Sequence, residues 1–517
     1  QTAAGNYTIQ SYRQSGGTQQ PVKWKVIGYE EYNAATSSWV DKGMTRPAWL
    51  DALPKTEGDG GATAEGGAVT VQTSTLIDKL TPRNNALKTA TPLGSASNYY
   101  NLSNSTGAAA VQNTANCYVI SAPGYYKIPL VYGNAIKNGI DNPHSYKTTV
   151  VGGLQNFIDH AGQPITDPWI TQTNSGANVP DAANLVWADE DGIVETSSVA
   201  LEGSGTNAFV HFHVPANKIK SGNALIAVTK GGTVVWSWHL WFAPQSVLGT
   251  VACTNATNHV YKFTKETLGW KYTSWQNTSY TAPRKVRIKV EQEVPNGGVK
   301  QHGEITITQN PGSVREGCCT LYQGDRKDAF PGTNTYYYGT ITGGGDGINP
   351  ANSIQNPLVF YTIGWGWYGS ETFRYNKLNY WSMDNTVQGY NDNPVVKTIY
   401  DPCPAGFHIP APNAFTGFTT NGASGGPKNV SGGWDHGWTF NNKITNPDAT
   451  IYFPATGGRS CYTIGLGDVG IKGYYFTANQ VNSYFACLMP FDASTINNYG
   501  FSVYGRANGT AIRPVAE

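Results

Sequence analysis

A mainly β fold is what this 517-residue sequence predicts, built as tandem β-sandwich domains followed by a loop-rich α+β C-terminal domain. Three observations point there. Charged residues make up only 13% of the chain, too few for the Glu- and Lys-rich surfaces of long helices. Gly (60), Tyr (31) and Trp (15) are abundant, a mixture that suits short aromatic strands joined by tight turns. Several segments alternate apolar and polar residues, the period of a half-buried strand.

The length exceeds what one core can hold, so several domains are expected. Residues 1–90 read as a β-sandwich, because Val22, Trp24 and Val26 alternate with Lys23 and Lys25, and 68–73 is a further strand. Residues 91–114, rich in Thr, Ser and Asn, read as a connector. Residues 115–244 form a β domain: a strand at 117–122 turns through Pro123-Gly124 into 125–131, and 224–228 returns through Lys230-Gly231-Gly232 into 233–242. In that last strand Val234, Trp236, Trp238 and Leu240 share one face, with Val235, Ser237, His239 and Trp241 on the other. Aromatics on both faces predict a central strand covered on both sides, in which Trp236 and Trp238 are structural. Residues 245–313 read as an Ig-like sandwich: Val286, Ile288 and Val290 alternate with Arg287, Lys289 and Glu291, and 304–309 alternates again after the PNGG connection. Residues 314–517, dense in Gly, Asn, Tyr and Trp, are expected to form a separate unit beginning near Gly312.

Two sets of segments resemble known families. NCYVISAPGYYKIPLVYGNA (116–135) and GNALIAVTKGGTVVWSWHLWF (222–242) resemble a module of large fimbrium-associated surface proteins in the Bacteroidales. Residues 268–270 and 287–309 resemble the Ig-like module that usually follows it. YQGDRKDAFP (322–331), DPCPAGFHIP (401–410), YFPATGGR (452–459) and NNYGFSV (497–503) resemble the domain named after the Fibrobacter succinogenes major paralogous proteins. That family usually closes with a basic-plus-Cys strand, where this chain has Tyr504-Gly505-Arg506 and a tail to Glu517. The C-P-x-G-F element is also similar to one in C-type-lectin-like folds. The resemblance implies an exported adhesion protein of the cell surface or outer membrane, a fimbrial tip or accessory subunit, or a lipoprotein-anchored adhesin. Its implied partners are pilus subunits, joined by strand addition, and a glycan or host surface protein. The alternative is a surface carbohydrate-binding or carbohydrate-processing protein that works through its C-terminal domain.

Net charge is +1 with no run of Lys or Arg, which makes nucleic acid and anionic membranes poor partners. No apolar stretch is long enough to span a bilayer. The sequence opens at Gln1 without a Met or leader, which reads as a removed export signal or a trimmed end. Seven cysteines without a C-x-x-C pair exclude a zinc ribbon and predict buried or unpaired thiols, with room for one or two bridges.

The chemical motifs are thin. His211 and His213 would share a strand face but lack a third metal ligand in sequence, so a packed or solvent-facing pair is expected. Asp189-Glu190-Asp191-Gly192 and GGGDGIN (343–349) are oxygen-rich turns without the distant Glu of a calcium loop. GASGG (422–426) matches a nucleophile elbow around Ser424, yet Pro427 follows where a helix should start, so a loop is expected. No catalytic residue, metal or cofactor is predicted. The feature that points to a ligand is a set of aromatics in Gly- and Asn-rich segments: Trp365, Trp367, Tyr368, Trp434 and Trp438, with Trp381 nearby. Sugar rings stack their C–H faces on such rings while Asn and Asp take the hydroxyls. These five are the predicted ligand-binding residues, with at least one exposed ring among them.

Overall fold

The computed structural model describes residues 5–72, 76–78, 80–147, 157–278, 283–295, 299–309, 314–344, 350–362, 380–383, 387, 389–481, 485–497 and 505–517. The fold is mainly β, in short and mostly antiparallel sheets with few helices. The chain divides into two compact units, Gln1–Lys79 with Trp275–Val314, and Leu80–Ser274 with Arg315–Glu517.

In the first unit the Trp24/Val26 alternation builds the strand Trp24–Asn33, whose Trp24 and Val26 are buried while Lys25 is exposed. Arg284–Gln292 runs antiparallel beside it, with Ile288 opposite Tyr29. On its other side lies His302–Gln309, with Ile288 opposite Ile305. Ser38–Asp41 closes the far edge. Asn6–Ser15 pairs with Thr18–Pro21 and Gly61–Ala68 in a second sheet. One core joins the two chain segments, with Tyr7, Trp24, Tyr29, Trp49, Ile288 and Ile307 among its buried residues. The 1–90 sandwich and the separate Ig-like domain expected at 245–313 are therefore corrected: the 284–309 pair completes the N-terminal core. Alternation tells which face of a strand is buried, but not which distant strand covers it.

The second unit holds three four-stranded sheets among the described residues, two of them built from the stretch 100–242. One runs Cys117–Ile120, Thr233–Phe242, Gly222–Lys230, Ala182–Ala188, and the other Tyr100–Asn101, Gly124–Pro129, Phe209–Val214, Ala200–Glu202. Thr233–Phe242 is interior to its sheet, and Trp236, Trp238 and Trp241 are fully buried, as its doubly aromatic faces predict. The expected connector at 91–114 contributes a strand of its own. Asn101 is buried there and donates to Ala108 O, so its polar side chain replaces backbone partners rather than solvating a linker.

The expected boundary near Gly312 between 115–244 and 314–517 is likewise corrected, since both lie in this second unit. Polar groups tie them together inside. Trp187 donates to Ala329 O (3.1 Å), and Asn116 donates to Ile399 O (2.6 Å) and Asp401 O (2.8 Å). Lys327 sits over the Trp236 ring and bonds Ser237, and Ser237 donates to Asp328 (3.0 Å). Residues 250–264, also assigned to 245–313 by sequence, form the hairpin Thr250–Thr254 and Val260–Thr264, and Phe263 pairs with Val515. The charges of YQGDRKDAFP are internal: Asp325 pairs with Arg506, and Asp328 with Arg326 (3.0 Å) and Lys327 (2.9 Å), all buried. Burial pushes the Asp328 carboxyl up, but Lys327 and Arg326 outweigh it and hold it below the usual carboxylate range.

All seven cysteines are buried free thiols, without the bridges the sequence left room for. No helix among the described residues is long and apolar enough to cross a membrane.

Candidate functional site

The hairpin Thr456–Arg459 and Leu466–Val469, which follows directly from the YFPATGGR segment, carries an open cleft of about 510 Å³. Its turn is built from the inside out. Ile464 has φ +55°, unfavourable for a β-branched residue, and is held there by two contacts. The Arg459 guanidinium donates to Ile464 O (2.9 Å) and to Pro331 O and Thr333 O below it, and the Ile464 side chain packs against Phe330, Ile341 and Phe360. Ser460 Oγ accepts from Tyr462 N (3.1 Å), and Thr463 Oγ1 accepts from Gly465 N (3.3 Å). Anchoring Ile464 inward leaves Tyr462 facing solvent, 59% exposed, the most exposed aromatic ring among the large exposed hydrophobics.

Around that ring the cleft presents hydrogen-bonding groups. Asp468 accepts from Tyr474 OH (3.1 Å), and the two stand on one wall. Asn508 accepts from Cys461 N (2.8 Å) through its side-chain oxygen, which leaves its amide NH₂ without a partner among the described residues. An exposed ring beside a carboxylate and an amide donor suits a polyhydroxylated ligand: the ring takes C–H faces, and the polar pair takes hydroxyls in both directions.

A smaller notch of about 230 Å³ touches Val469 and Gly470, just past the Asp468 that lines the first cleft. Arg315 pairs with Asp435 (3.4 Å) and lies over the Tyr452 ring, and His436 faces Glu316 (3.7 Å). Charges of opposite sign answer each other in this notch.

The predicted ligand residues fare unevenly. Trp365, Trp367 and Tyr368 lie outside the described residues. Trp434 is half-buried, edge-on to Trp438 (5.4 Å) and Phe491 (6.3 Å). Trp438 is corrected to a core residue, 6% exposed, with its indole donating to Asp492 O (2.8 Å) and Lys428 over its ring. It lies on the strand Gly437–Asn441, where Trp438 and Phe440 turn inward, an alternation too short to see amid the glycines. Trp381 is fully buried. Tyr462 is not among the predicted residues; the signal for it in the sequence is an aromatic at the tip of a Gly-rich hairpin turn.

The remaining motifs resolve as partnered groups. His211 and His213 contact Glu202 (3.1 Å) and Glu195 (2.6 Å) and stack on Tyr99 and Tyr125, each at 4.2 Å. Each carboxylate of 189–191 meets a lysine: Asp189 and Glu190 face Lys271 (3.8 and 2.6 Å), and Asp191 faces Lys218 (3.2 Å). Residues 345–349 of GGGDGIN lie outside the described residues. Ser424 is in a loop against Asn497 (3.4 Å). Among the described residues no group of three His, Cys, Asp or Glu is placed to hold a metal.

Comparison with protein-family models, with curated proteins and with solved structures finds no match to this chain.

Proposed function

We propose that the chain is an exported cell-surface adhesion protein, a fimbrial tip or accessory subunit, that binds a glycan in the cleft around Tyr462 and works by binding rather than catalysis. The observation that carries the reading is the exposed Tyr462 ring, held out by a strained and anchored turn beside Asp468 and Asn508. A residue left exposed at the expense of backbone strain suits a contact surface better than a packing role. The family resemblance of 322–331, 401–410 and 452–459 agrees with it.

Assembly with pilus subunits by strand addition has support in the first unit. His302–Gln309 pairs on one side only among the described residues, and its eight residues contain no Pro and one acid, Glu304. Such an edge offers a ladder of backbone groups to an incoming strand.

A glycan array probed with the whole chain tests the main reading. Neutral or weakly acidic oligosaccharides are expected to bind, and Tyr462→Ala to weaken the best of them about tenfold, the loss of one ring-stacking contact. Full retention of glycan binding in Tyr462→Ala overturns the assignment of this cleft.

A further inference from the structure

The first unit holds a second cleft, of about 650 Å³, that the reading above does not use. Its charge is one-sided. Lys42, Arg46 and Arg284 line it, against a single acid, Glu31. Both oxygens of that acid are engaged, Oε1 by the Trp49 indole (2.9 Å) and Oε2 by Lys42 (3.3 Å). The Arg46 guanidinium makes no hydrogen bond or ion pair among the described residues, and neither does the Thr45 hydroxyl or the Gln72 carboxamide. With Lys42 paired to Glu31, the lining keeps a surplus of positive charge in a chain whose net charge is only +1.

The loop that carries them is pre-shaped. Lys42 N donates to Tyr29 O (2.8 Å), Thr45 N to Lys42 O (3.0 Å), and Leu50 N to Pro47 O (3.0 Å). Gly43 N donates to Asp41 Oδ1 (2.8 Å), and the buried Trp49 pins the far end to Glu31. Arg46 is thus held at the rim by backbone that need not reorganise when a ligand arrives.

From this geometry we infer that the cleft lined by Lys42, Arg46 and Arg284 binds an acidic saccharide, one carrying carboxylate or sulfate groups. The guanidinium fork matches either oxyanion, and Thr45 and Gln72 supply neutral partners for ring hydroxyls. The volume lies in the range of small-molecule sites and exceeds what one inorganic oxyanion fills. Single-stranded nucleic acid fits less well, since its binding uses stacked aromatic faces and the Trp49 wall is only 5% exposed.

Titration calorimetry on the whole chain decides it, with an oligogalacturonate, a sulfated oligosaccharide, neutral dextran, inorganic sulfate and a single-stranded DNA oligomer as probes. Either charged oligosaccharide is expected to bind and to weaken as salt rises. Arg46→Gln, an exposed change that leaves the melting temperature where it was, is expected to weaken binding about tenfold, the worth of one charge-assisted hydrogen bond. Tyr462→Ala leaves this binding unchanged, which separates it from the glycan cleft of the second unit. The inference fails if Arg46→Gln binds both charged oligosaccharides as well as the parent chain does. It fails equally if, in the Tyr462→Ala chain, dextran, inorganic sulfate or the DNA oligomer binds as tightly as they do.

Discussion

His239 shows what a single buried titratable group does to this protein. It is buried in the strand Thr233–Phe242, with Nε2 2.8 Å from Asn223 Oδ1. Burial pushes its imidazole down to about 3, so the folded chain keeps it neutral. In the unfolded chain it takes a proton near its ordinary value of about 6.5. The folded pKa is depressed, so its stabilising contribution is present above about 6.5 and is lost as pH falls towards 3. One group can lower stability by no more than about 1.4 kcal/mol per pH unit in that window. Denaturant titrations at pH 7, 6 and 5 are expected to show this slope in the parent chain and a flatter one in His239→Gln. Equal slopes would mean the ring is protonated in the fold. In sequence this residue was visible only as one position on a strand face; its neutrality comes from burial in the folded unit, and no local pattern brings Asn223 and Tyr322 beside it.

At the scale of elements, strands were legible wherever side chains alternate or run apolar. Thr233–Phe242 is the clearest instance, predicted central from its two aromatic faces and found between Cys117–Ile120 and Gly222–Lys230. Trp238 is fully buried there, and its indole N–H has no partner among the described residues. Trp238→Ala is therefore expected to cost about 3–5 kcal/mol, measured by chemical denaturation, because a ring-sized cavity opens in a sheet packed on both faces. Trp238→Phe should cost much less, since it gives up no hydrogen bond. A Trp238→Ala chain that unfolds with the parent would place that strand at an edge. The Tyr462 hairpin was not legible in the same way. Its form depends on Arg459 reaching Pro331 and Thr333 and on Ile464 packing beside Phe330, contacts separated by more than a hundred residues. Trp438, one of the five predicted ligand residues, is core for the converse reason: a glycine-rich sequence hid a short strand that packs the ring inward.

The whole molecule departs furthest from what the sequence suggests, because the chain leaves its first core at residue 79 and returns to it at 275. Composition marks where loops fall but carries no record of such a return, and strand patterns are satisfied by any apolar partner. Each unit has a core of its own, and that makes their stabilities separately addressable. Ile288 is fully buried in the first core, between Tyr29 on one neighbouring strand and Ile305 on the other. Ile288→Ala should cost about 2–5 kcal/mol there, while touching nothing in the second core. Two calorimetric transitions are expected for the parent chain, and Ile288→Ala should lower one of them by several degrees and leave the other in place. Trp238→Ala should move the other transition alone. The sharper check is that a fragment ending at residue 90, which holds only one segment of the first core, should not fold. It lacks Val286, Ile288, Val290 and Ile307, four of the buried residues that close that core. A cooperative melt from residues 1–90 alone would restore the self-contained N-terminal sandwich and return 284–309 to a domain of its own.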